Sequence, residues 1–95
     1  MPVAPESHIT DDEIYYSMEF ALVLLNCQFG CEQIVMQTIR RIPEVVEVSL
    51  VSGGYDMIAK VAADKMDKVK EVVTWQIRKL DGVRTSLTLL GQQNS

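Results

Sequence analysis

Few side chains in this 95-residue sequence can do chemistry, and they fall into three groups. Cys27 and Cys31 sit four apart, His8 is the only histidine, and Ser52-Gly53-Gly54-Tyr55-Asp56 gathers a hydroxyl, two glycines, an aromatic ring and a carboxylate. Two thiolates cannot close a tetrahedral zinc site without further ligands, and the single histidine lies far up the chain. A cysteine nucleophile needs a base within hydrogen-bond reach, and His8 is the whole imidazole supply. Paired carboxylates would have to converge in a pocket, but the acids here fall on helix surfaces and turns. No glycine-rich phosphate loop of the usual spacing is present. The cysteines therefore read as small buried hydrophobes, and the chain is expected to have no catalytic residue, no metal site and no cofactor. The turn at 52–56 is different. Glycine N–H groups in a tight turn can hold a small carboxylate, and Asp56 can accept from an ammonium. Those five residues have the means to recognise both ends of an amino acid. They also suit an ordinary hairpin in which Asp56 caps its own backbone, the reading that spacing alone favours.

The elements that must hold this turn follow from periodicity. Phe20 to Leu25 is continuously apolar, which suits a short strand buried on both faces. Cys31, Ile34, Val35, Thr38, Ile39 and Ile42 then recur at helical spacing, ended by Pro43. Val46, Val48 and Leu50 alternate with Glu47 and Ser49, and Ser52-Gly53-Gly54 reads as a hairpin turn. Asp56 to Ala63 resumes as a strand with Lys60 outward. A second helical stripe runs through Met66, Val69, Val72, Val73, Gln76, Ile77 and Leu80, stopped at Asp81-Gly82. Trp75 falls outside that stripe, between Lys68 and Lys79. Val83 to Leu90 is a last strand.

The order strand–helix–strand is thus repeated. Ile39-Arg40-Arg41-Ile42-Pro43-Glu44-Val45 lines up with Ile77-Arg78-Lys79-Leu80-Asp81-Gly82-Val83. Two right-handed βαβ units place both helices on one sheet face. The expected fold is an α+β, ferredoxin-like βαββαβ sandwich, with a four-stranded antiparallel sheet and one open face. The first strand is apolar on both sides, so an exposed apolar patch would remain unless a second copy covered it. Ala21, Val23, Leu24 and Leu25 are the candidate residues of that dimer interface.

Charge divides the chain. Residues 1–19 carry five acids and no base, a balance of −5, while the remaining 76 residues come to +1. A near-neutral body with an acidic arm is a poor phosphate-backbone binder, which argues against direct nucleic-acid contact. The longest uncharged apolar run, Phe20 to Cys27, is well short of the roughly 20 residues a bilayer span needs, and no signal peptide is evident. Two cysteines are too few for a secreted disulfide framework, so the expected compartment is the cytoplasm. Residues 1–18 read as an acidic arm, in which Thr10 to Glu13 could cap a short helix containing Tyr15 and Tyr16. Residues 19–91 form the folded body, and 92–95 a tail.

From Ala21 to Leu90 the sequence resembles the ligand-binding and oligomerisation (RAM) domain of the Lrp/AsnC regulators. The resemblance rests on Ala21-Leu22-Val23-Leu24, Ile42-Pro43-Glu44-Val45, Val51-Ser52-Gly53-Gly54-Tyr55-Asp56, Ala59-Lys60-Val61 and Ile77-Arg78-Lys79-Leu80-Asp81-Gly82-Val83-Arg84. It implies amino-acid sensing, dimers built through the open sheet faces, and larger assemblies of dimers. It also implies an effector site between dimers near Gly53 to Asp56, helped by Ser86 and Thr88. Ser52 stands where the family often has Thr and keeps the hydroxyl. Full-length members begin with a helix-turn-helix, and residues 1–18, with two prolines and no base, do not supply one. The resemblance therefore implies a stand-alone regulatory module that binds an effector, or a full-length regulator of the family, rather than DNA. Three rivals share the architecture: an ACT-type amino-acid sensor, a dimeric α/β-barrel oxygenase, and a purely structural assembly partner. The glycine–tyrosine–aspartate turn opposes the first, and the second would need a catalytic polar group between sheet and helices.

Overall fold

A computed structural model describes residues 18–91. The readings that fall on residues 1–17 and 92–95, including His8, the Thr10–Glu13 cap, Tyr15 and Tyr16, lie outside the described residues. The chain runs β1 (Glu19–Cys27), α1 (Glu32–Arg40), β2 (Val45–Leu50), β3 (Met57–Ala63), α2 (Met66–Val72) and β4 (Val83–Gly91). The sheet is antiparallel in the order β2-β3-β1-β4, as a ferredoxin-like βαββαβ sandwich requires.

From Phe20 to Cys27 burial along β1 alternates, which the apolar run Phe20 to Leu25 conceals. Ala21, Val23 and Leu25 are 0% exposed and, with Cys27, pack beneath the helices against Val35, Ile39, Val69, Val72 and Ile77. Phe20, Leu22 and Leu24 point to the opposite face. This corrects the expected interface: Ala21, Val23 and Leu25 belong to the core of a single copy, and of the four candidates only Leu24 faces outward. Cross-strand partners share a face, so the register extends that outward set. Leu24 stands between Ile58 and Leu87, and Leu22 between Lys60 and Leu89. The open face is therefore an apolar block centred on two neighbouring strands. Phe20, paired with Gly91, lies over the space a Cβ at Gly91 would fill, and Lys60 Nζ sits 4.8 Å from its ring centroid.

The helices differ from their sequence stripes in instructive ways. In α1 the buried residues are Val35, Met36 and Ile39, whereas Ile34 is 60% exposed. Thr38 Oγ1 donates to the Ile34 carbonyl at 2.7 Å, so its hydroxyl is satisfied within the helix. In α2 and the turn that continues it, Val69, Val72, Val73 and Ile77 are buried, while Gln76 is exposed. Beyond Val72 the helix continues as one widened turn, Val73–Ile77, in which the Arg78 N–H donates to the Val73 carbonyl at 2.9 Å, an i→i+5 bond. A bulge between Val45 and Glu47 interrupts the β2–β3 register and leaves Val46 on the exposed edge. No helix among the described residues is long and apolar enough to cross a membrane.

Candidate functional site

The ends of β1 and β2, the start of β4 and three connecting loops meet at one end of the sheet. The turn 52–56 sits there, closed by the Val51 N–H donating to the Asp56 carbonyl at 2.9 Å. Asp56 is tied to β1 twice. Its N–H donates to the Leu25 carbonyl at 2.9 Å, and its Oδ2 accepts from the Cys27 N–H at 2.9 Å. The carboxylate therefore caps the end of the neighbouring strand, not its own backbone. It is half-buried, and Oδ1 makes no hydrogen bond among the described residues. Ser52, Gly53 and Gly54 are exposed, and Tyr55 is half-buried. Gly53 has φ +127°, a conformation that side chains rarely adopt, and nothing lies within 4 Å of a Cβ built on either glycine. The result is an open turn beside a carboxylate whose second oxygen has no partner among the described residues.

The remaining expected site residues are only partly gathered at this end. Ser86 pairs with Leu25, which pairs on its other side with Met57. Ser86 is thus at the level of the turn but two strands across, about 10 Å away at the usual strand spacing. Thr88 pairs with Val23, one step further along β4 on the helix side. It borders a separate hollow with Lys70, Val73, Thr74, Arg78 and Leu90. Within one copy, residues 52–56 form a unit that Ser86 approaches and Thr88 does not reach.

The two cysteines flank the loop that leads out of β1. Cys27 is buried and Cys31 half-buried, and both are free thiols. Burial raises the Cys27 thiol pKa above its ordinary value, and the nearby carboxylates of Asp56 and Glu32 and the Cys31 thiol push the same way. A thiol held protonated is a poor nucleophile and a poor metal ligand. Between the cysteines, Phe29 is 100% exposed. It stands two residues past Cys27, the anchor of Asp56. The signal for it was present in the sequence: an aromatic between Gln28 and Gly30, outside every apolar stripe.

A family model for the Lrp/AsnC ligand-binding domain matches residues 21–91. The chain belongs to the Lrp/AsnC ligand-binding domain family. An uncharacterised helix-turn-helix-type transcriptional regulator of Pyrococcus horikoshii is 36% identical over 56 residues, 59% of this chain and 37% of that regulator. The match thus spans little more than a third of that relative's length. The crystal structure of TTHA0845 from Thermus thermophilus is 32% identical with a TM-score of 0.75, covering 81% of this chain and 96% of that one. The regulator NMB0573 of Neisseria meningitidis, solved as its L-Met complex, shares the Lrp/AsnC fold at 13% identity, with a TM-score of 0.72 over 87% of this chain and 55% of its own.

Proposed function

We propose that this chain is a regulatory Lrp/AsnC module that binds an amino-acid effector at the arch 52–56, where copies of the chain meet. The observation that carries this reading is the pairing of an exposed Gly53-Gly54 turn, with open space beside both glycines, and a carboxylate anchored to β1 whose Oδ1 has no partner among the described residues. The arch would hold the effector's carboxylate, and Asp56 its ammonium. Tyr55 and the fully exposed Phe29 would cover the side chain. An aromatic left bare at the mouth of a site is the kind of residue that a neighbouring subunit covers. Ser86 and Thr88, separated from the arch within one copy, would join the site from a second copy. The L-Met complex of the Neisseria meningitidis regulator supports the ligand class.

In this reading the domain acts through its effector and through association, with other copies or with a full-length regulator of the family, in the cytoplasm. It performs no catalysis and makes no direct DNA contact. Acids and bases are evenly matched over residues 18–91, nine of each, so the domain carries no net charge to draw it to a DNA backbone. A thermal-shift screen with the twenty amino acids tests the reading. A ligand at 100 times its dissociation constant stabilises by roughly 2.7 kcal/mol, about 10 °C or more for a domain of this size. At least one amino acid should give such a shift at millimolar concentration. No shift with any of the twenty would overturn effector binding and favour a purely structural assembly partner.

A further inference from the structure

The two helices cover the sheet unevenly. α2 packs over β1 and β3, and β4 is a sheet edge. The helix-side residues Thr88 and Leu90 therefore lie beside α2 instead of beneath it. Between them is a hollow of about 210 Å³ lined by Lys70, Val73, Thr74, Arg78, Thr88 and Leu90.

The widened turn determines what faces this hollow. An ordinary helix advances about 100° per residue, so residues spaced by four drift about 40° at each step. Lys70, Thr74 and Arg78 would then fan away from one another. The i→i+5 bond from Arg78 to Val73 packs more residues into the turn and opposes that drift over the last step. Lys70, Thr74 and Arg78 all line the hollow. Widened single turns of this kind occur frequently at functional sites.

The lining is chemically one-sided. It holds two cations and two hydroxyls, and no carboxylate. The ion pair among the described residues is Lys68 with Glu71, at 3.3 Å, and neither Lys70 nor Arg78 makes one there. Two like charges beside one small hollow repel, and an anion between them removes that repulsion. Arginine offers a planar fork to two oxygens, lysine a compact charge, and threonine hydroxyls donate to a third and fourth oxygen. Val73 and Leu90 supply the apolar part of the lining. The volume is below the roughly 300–1,000 Å³ of pockets for drug-sized ligands, which limits the guest to a few heavy atoms. We infer that this hollow is a second ligand site, specific for a small phosphate-type dianion, either inorganic phosphate or the phosphate group of a small metabolite. Thr88 is the only residue it shares with those assigned to the effector.

The test is a titration of the isotopically labelled protein at constant ionic strength, with no amino acid present, following backbone amide shifts. Inorganic phosphate and glycerol 3-phosphate are the two probes, and acetate is the comparison. Saturable shifts at Thr74, Arg78 and Thr88 are expected with a phosphate probe. The double variant K70Q/R78Q should weaken binding roughly tenfold or more, as loss of charge-assisted hydrogen bonds implies. Both side chains are exposed, so that variant should fold. Thr88→Val, which keeps shape and removes only the hydroxyl, provides a second variant that should also weaken binding. Tighter binding of the ester assigns the site to a metabolite, and equal binding assigns it to free phosphate. Shifts that do not saturate, that acetate reproduces, or that persist unchanged in K70Q/R78Q would overturn the proposal. Amino-acid binding is read separately, by thermal shift on the wild-type protein without phosphate, so either site can fail without the other.

Discussion

Asp56 has two tasks that substitution can separate. Oδ2 satisfies the Cys27 N–H, and Oδ1 is available to a ligand. Asp56→Asn retains an acceptor oxygen for Cys27 but loses the charge an ammonium needs. It should leave the melting temperature within a few degrees while abolishing the amino-acid shift. Asp56→Ala should lose both, because it strands a part-buried N–H at a penalty of about 1–3 kcal/mol. If D56N keeps the full amino-acid shift, Asp56 is structural only. The neighbouring thiol makes a pH prediction. Cys27 has a raised folded-state pKa, so the unfolded chain loses this proton first as pH rises, from about 8.5. The contribution of Cys27 to stability is complete below that pH and declines above it, up to the folded pKa. Denaturation midpoints should fall on the alkaline side for wild type and fall less steeply for Cys27→Ala. In native protein a thiol reagent should label half-buried Cys31 well before Cys27.

The junction of α1 with the loop before β4 is tightly packed. Gly82 has φ +96°, and a Cβ there would lie 3.0 Å from Val35 Cγ2 and 3.1 Å from Cys31 Cβ. Its carbonyl also accepts from the Gln28 N–H at 2.7 Å, tying the β1–α1 loop to the start of β4. Gly82→Ala should therefore destabilise by about 1–3 kcal/mol, through strained φ and crowding together, measurable by chemical denaturation. The stop at Asp81-Gly82 was legible in the sequence, as were the element order and the fold, because helices and strands announce themselves by period. What period cannot show is which side of an all-apolar strand faces the helices. β1 reads the same on both faces, and only its register against Lys60, Ile58, Leu87 and Leu89 assigns Leu22 and Leu24 outward. Ile34 and Met36 exchange places for a related reason: a stripe fixes a helix face only to within a residue or so, and packing against the sheet selects Met36. The widened turn after Val72 leaves no mark in composition at all. The turn 52–56 was readable because glycine and aspartate carry local meaning, whereas the role of Thr88 depends on a helix turn far from it in sequence.

Over the whole molecule, the open sheet face decides how copies associate. Leu22, Leu24, Ile58, Leu87 and Leu89 form a contiguous block, with Leu87 and Leu89 still 44% and 49% exposed in one copy. A domain this small gains much by burying such a patch against a second copy, and the proposed effector site needs a second copy to bring Ser86 and Thr88 to the arch. Adjacent positions on β1 then make opposite predictions. Val23→Asp places a charge in the core at a residue with no exposed surface, and the loss should approach the whole stability of a marginal domain, about 5–15 kcal/mol. That variant should be unfolded. Leu24→Asp, one residue along, points to the other side. It should fold as a monomer with native far-ultraviolet dichroism while losing association, because each copy would bury an unpaired charge against its twin at several kcal/mol, and about 4 kcal/mol is roughly a thousandfold in affinity. Sedimentation at micromolar concentration reads both outcomes together with the wild type, which should be at least dimeric. Wild type and L24D sedimenting alike, as folded species of one mass, would remove the sheet face from the assembly and leave the association surface to be sought at Phe29 and Ile34.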